Sequence, residues 1–157
     1  MRSVLLATAT ALSLAFAATA FAAGGADPAP TKPVDPNFTR AKAMIEARDY
    51  KGALPLLQQV VAKDGKNADA YNLMGYATRS SGDPTGSLQY YQQALAIDPR
   101  HLGAHEYIGE AYLMLGRVQD AEQHLARLDS LCVFGCSEYR MLKTAIANFK
   151  AGKRPTN

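Results

Sequence analysis

The stretch ADAYNLMGYATRSSGDPTGSLQYYQQALAIDPRH, Ala68 to His101, holds the pattern that decides the fold. It reads as two helices. In the second, Ser87, Tyr91 and Ala94 are spaced by four and three, which places them on one helical stripe. Asp83 stands where a carboxylate favours the positive end of that helix, and Pro99 follows Asp98 where a helix must stop. Gly75 and Ala77 in the first helix are small enough for a facing helix to approach closely.

The same register continues on both sides. VDPNFTRAKAMIEARDYKGALPLLQQVVAKDGKN precedes the block and LGAHEYIGEAYLMLGRVQDAEQHLARLDSLCV follows it, without gaps up to Val133. Ala41, Gly75 and Gly109 share one offset; Ala43, Ala77 and Ala111 share another. On the second helices Ala53, Ser87 and Ala121 recur, then Leu57, Tyr91 and Leu125, then Val60, Ala94 and Leu128. A 34-residue period of paired helices is the signature of a solenoid, in which neither helix of a pair buries its stripe without a stacked neighbour.

Beyond the third block, Tyr139, Leu142, Ile146 and Phe149 advance by three, four and three in SEYRMLKTAIANFKAGK. They form one apolar stripe on a helix over 138–150 that ends before Gly152, and such a helix would cover the open end of the stack. Residues 151–157 read as a tail. At the other end, MRSVLLATATALSLAFAATAFAAGG has one cation, Arg2, an uncharged Ala- and Leu-rich run, and the small-large-small triplet Ala20-Phe21-Ala22. These are the marks of a secretory signal peptide over 1–22; the apolar run is shorter than the ~20 residues of a membrane span. Residues 23–36 carry prolines at 28, 30, 33 and 36 and read as a proline-rich leader, before a helical domain over 37–150. With Arg2 removed, one fewer than the 17 basic side chains faces 14 acidic ones, interspersed along the chain. Nucleic-acid binding needs a concentrated basic face, so this balance argues against it.

The only cysteines, Cys132 and Cys136, lie in LCVFGC, between the last repeat and its cap. Side chains four apart on a helix have Cβ atoms about 5 to 6 Å apart, beyond disulfide reach of roughly 3.5 to 4.5 Å. A bond therefore requires the segment to leave the helix, and Gly135 supplies the dihedrals. In an oxidising compartment such a pair should join. Two other readings stay open. A redox couple usually has two intervening residues and a βαβ setting. A metal site would draw on His101 and His105, yet His101 falls in an inter-repeat turn and His105 at a packing position.

The pattern resembles the tetratricopeptide repeat family. Tyr71, Met74, Gly75, Ser87, Tyr91, Ala94 and Pro99 occupy the motif places in the middle block. Ile108, Gly109, Tyr112, Ala121, Leu125 and Leu128 occupy them in the third, with His105 in the first aromatic place. The first block departs, with Asn37 and Arg40 at motif places. The resemblance implies an all-α solenoid of three helix-turn-helix repeats, about 34–67, 68–101 and 102–133, plus the capping helix. It also implies a concave groove lined by Phe38, Lys42 and Ile45, by Asp69, Asn72, Tyr76 and Arg79, and by Glu106, Glu110 and Leu113. Glu106 and Glu110 stand where family members that clamp a C-terminal carboxylate would carry cations, so the groove is of mixed sign.

Nothing at catalytic spacing appears: no Ser-His-Asp set and no glycine-rich phosphate loop. Glu106 and Glu110 share a helical face, which reads as a solvated surface. The expectation is a non-enzymatic, periplasmic or secreted scaffold without cofactor or metal that binds a protein or extended peptide. The alternative is a thiol-disulfide or metal-handling accessory factor that uses the Cys132/Cys136 turn.

Overall fold

Short polar side chains at turn positions set where four of the described helices begin. A computed structural model describes residues 33–153, and every regular element among them is a helix. They are α1 (Pro36–Glu46), α2 (Tyr50–Lys63), α3 (Ala68–Ser80), α4 (Pro84–Ile97), α5 (Leu102–Met114), α6 (Val118–Leu131) and α7 (Ser137–Lys150). Residues expected to form the signal peptide, and most of the leader, lie outside the described residues. Asp49 and Asp83 each accept the backbone N–H three residues on, at 3.0 and 2.8 Å, and so satisfy a donor the first turn would orphan. Asn67 caps α3 in the same way, and Asp35 caps α1 by accepting the Asn37 N–H two residues on. For α5 the cap is an imidazole, His101 Nδ1, which accepts from the Ala104 N–H at 3.1 Å.

Helices α1/α2, α3/α4 and α5/α6 pair as hairpins, each packed on the next, with α1, α3 and α5 also in contact along the inner side. Helix α7 lies against α5 and α6, in the place a fourth repeat would offer its first helix. This is the solenoid of three repeats and a cap.

Backbones approach where the small residues recur. A Cβ on Gly75 would lie 2.5 Å from the Tyr91 ring, and one on Gly109 would lie 2.6 Å from Leu142 Cδ2. Tyr91 and Leu142 are both fully buried, so each glycine is the floor of a socket for a large side chain. The buried side chains form two clusters, one around Ala41, Leu57, Val60 and Met74, the other around Tyr91, Ile108, Leu113, Leu128, Leu142 and Ile146. Ala43 departs from its equivalents Ala77 and Ala111, which are fully buried, and is exposed. Among the described residues no repeat stacks ahead of it.

The cysteine turn leaves the helix as a bond requires. Cys132 caps the end of α6 and Cys136 opens α7. The two are joined by a disulfide with Cα atoms 5.6 Å apart, and Gly135 takes φ +76°. Lys150 pairs with Glu122, which ties the far end of α7 to α6.

Candidate functional site

The inner side of the stack is built from α1, α3 and α5, and it corrects part of the expected groove. Phe38, Ile45, Tyr76 and Glu110 are half-buried there, and Lys42 and Asp69 are exposed. Asn72, Arg79, Glu106 and Leu113 are not open surface: they are 6, 3, 3 and 1% exposed. The reason is stacking. Leu113 joins the core with Ile108 and Leu142, and the polar three lie where α5 packs over α3 and α7 over α5.

Arg79 organises the centre of the face. Its Nη2 pairs with Glu110 Oε2 at 2.8 Å, and its Nε donates to the Tyr91 hydroxyl at 3.4 Å. The guanidinium also lies 5.5 Å from the Tyr76 ring centroid and 5.7 Å from that of Tyr107, within cation–π range. Burial disfavours its charge, but the Tyr91 hydroxyl and Glu110 more than offset this and hold its pKa above the ordinary value. Burial pushes the Glu110 carboxyl up even though Arg79 pulls it down.

Four tyrosines form a ladder over this arginine. Tyr50 meets Tyr76 edge-on at 6.0 Å, Tyr76 meets Tyr107 at 5.1 Å, and Tyr107 meets Tyr91 at 6.3 Å. Beside them lies a cleft of about 500 Å³ lined by Ile45, Leu73, Tyr50, Tyr76 and Tyr107, with Glu46, Arg48 and Ser80 at its polar edge. Its size and its mixture of aromatic walls and a few polar groups suit one or two side chains of an extended chain. Tyr50, Leu73 and Tyr107 were not among the groove residues expected from sequence. The available signal was the tyrosine content, eight in the chain, but their convergence from three helices is a tertiary fact.

Glu106 and Glu110 are not the solvated face expected of them. Burial, reinforced by the charges of Glu110 and Glu138, raises the Glu106 pKa to about 8 despite Arg79. The neighbouring Tyr107 is raised to about 12, again by burial first and the Glu106 charge second.

The histidines serve contacts between helices. His101 Nε2 donates to Asp69 at 3.1 Å, linking the start of α5 to α3. His105 Nε2 donates to the Pro99 carbonyl at 3.1 Å, so its Nδ1 is left to accept from His124 Nδ1 at 2.9 Å. Burial first, then the facing His105, lowers His124 to about 4, and burial lowers His105 as well. His101 and His105 thus have separate partners and do not form a pair. Among the described residues no three His, Cys, Asp or Glu side chains gather at metal-holding spacing.

Comparison with known proteins agrees with this architecture. Two family profiles, both for the tetratricopeptide repeat, match residues 38–101 and 79–146. Together they span well over half of the chain, which belongs to the tetratricopeptide repeat family. Protein O-mannosyl-transferase Tmtc3 of Drosophila melanogaster is 31% identical over 83 residues, 53% of this chain but 9% of that protein. The chain therefore spans a small fraction of the length of that relative. Among solved structures, MamA from Desulfovibrio magneticus RS-1 is 25% identical with a TM-score of 0.58, covering 60% of this chain and 54% of that one. The type III secretion chaperone SycD of Yersinia enterocolitica, in complex with a peptide of the translocator YopD, superposes with a TM-score of 0.63 at 16% identity. That match covers 74% of this chain and 88% of SycD, and it speaks to fold alone.

Proposed function

We propose that this chain is a non-enzymatic binding scaffold that holds an extended segment of another protein on its inner face, in the periplasm or outside the cell. The observation that carries the reading is the cleft of about 500 Å³ walled by Tyr50, Tyr76 and Tyr107. Aromatic side chains present large, rigid contact area at low cost in conformational entropy, and so dominate recognition surfaces. A SycD structure of the same fold holding a peptide supports the mode of binding. The signal-peptide pattern over 1–22 supports the compartment, and N-terminal sequencing of the protein from its native source tests it: a mature start after Ala22 is expected.

The groove is tested by substitution away from the buried arginine. Tyr50→Ala with Tyr76→Ala should abolish capture of 12-residue peptides on an array, whereas Gln93→Ala, exposed on the opposite side, should leave it intact. Equal capture by both variants would reject the inner face as the site.

A further inference from the structure

Two acceptors on the inner face have no donor. Asn72 Oδ1 is sealed from solvent and makes no hydrogen bond. Glu106, only 3% exposed, has no hydrogen bond or ion pair among the described residues, while the adjacent carboxyl Glu110 takes the one buried arginine. Because Asn72 Oδ1 is the only sealed, unbonded side-chain polar atom among the described residues, the small open part of Glu106 includes its carboxyl oxygens.

Buried polar groups are normally paired, and an unpaired one costs about 1–3 kcal/mol. Around Glu106 the charges are Glu110 on its own helix, Glu138 on α7 and Arg79 on α3, three carboxyls to one cation. A ligand that brings a cation would satisfy Glu106 and the charge imbalance. A carboxylate would meet a second and third negative group.

Resting on the groove reading above, we infer that the partner segment is cationic at one position: its lysine or arginine head seats on the open carboxyl edge of Glu106. An apolar side chain of the same segment then fills the cleft beside Tyr107, which follows Glu106 on α5. The raised Glu106 pKa agrees with this, since a carboxyl kept neutral while the site is empty ionises when a cation docks.

The test is selection from a random 12-residue peptide library displayed on phage, with wild type and Glu106→Gln run in parallel. Because Gln is isosteric with the protonated carboxyl, the variant should fold as wild type does. Wild type should enrich peptides with Lys or Arg at fixed spacing from a large apolar residue, and Glu106→Gln should lose that enrichment. One selected peptide, titrated by calorimetry at pH 7 in two buffers of different ionisation enthalpy, should release about one proton on binding wild type and none on binding the variant. Its affinity should fall about thirtyfold or more in the variant, the size expected for truncating one partner of a buried hydrogen-bonded charge pair. Enrichment of uncharged or acidic peptides, or of cationic peptides equally by both proteins, would overturn the inference while leaving the groove intact. A wild type that selects no peptide, or whose inner face is occupied by a second copy in solution, would overturn the groove reading and the inference together.

Discussion

At the scale of single residues, the inner face is governed by which polar groups stacking has covered. Arg79 is the clearest case. Its position in the repeat was legible, but its burial was not, because the covering groups come from Glu110 and Tyr107 of the next repeat and Tyr91 of the next helix. Arg79→Ala leaves Glu110 and Glu106 without a cation in a buried setting. The expected loss is about 3 kcal/mol or more in urea unfolding. Asn72→Ala removes an acceptor that was already unbonded, and should cost less than about 1 kcal/mol. Similar losses for the two would show that the ion pair contributes nothing beyond its volume.

Protonation supplies a second residue-scale expectation. His124 is lowered to about 4 and His105 also lies below its ordinary value, so both bind protons more readily in the unfolded chain. Their contribution is complete above about pH 6.5 and declines as pH falls toward 4, by about 3 kcal/mol for His124. Glu106 has the opposite sign. Raised to about 8, it binds its proton more tightly when folded, so stability falls as pH rises from about 4.5 to 8. The two slopes oppose each other between about pH 4.5 and 6.5, and only the Glu106 slope persists above that. Glu106→Gln should therefore flatten the decline from pH 6.5 to 8 in thermal melts, and an unchanged decline would place its source elsewhere. Neither effect could be foreseen from spacing, since His105 and His124 sit on different helices and Glu106 and Glu110 looked like a solvated pair.

At the scale of elements, the cap is where sequence and structure agree most closely. The stripe Tyr139, Leu142, Ile146 and Phe149 needed only helical periodicity to be found. Leu142 and Ile146 are buried and the other two half-buried. What periodicity could not show is that Leu142 enters the socket over Gly109, on the first helix of the preceding repeat. Leu142→Ala should cost about 2–5 kcal/mol, the range for emptying a closed apolar site. The disulfide acts on the same element. It closes a five-residue ring, for which loop-closure entropy gives about 2 kcal/mol. Replacing Cys132 and Cys136 by serine should lower the stability of α7 by about that amount, read as faster amide exchange there with α1 to α4 unchanged.

At the scale of the whole molecule, the fold was legible because a solenoid states its rule three times. Ala41, Gly75 and Gly109 are each buried beneath a neighbour, and Val60, Ala94 and Leu128 are each at most 1% exposed. The first repeat, whose motif is weakest, is also the one whose Ala43 lies exposed. The site was legible only in outline. A repeat register locates the inner face, whereas the tyrosine cleft depends on Tyr50, Tyr76 and Tyr107 arriving from three different helices.

The central claim is that the inner face is where this scaffold holds its partner. Amide chemical-shift mapping of the labelled protein during titration with a library-selected peptide tests it most directly. Shifts concentrated on α1, α3 and α5, strongest around Tyr76 and Tyr107, are expected. Shifts concentrated on α2, α4 and α6, or on the Cys132–Cys136 turn, would contradict it.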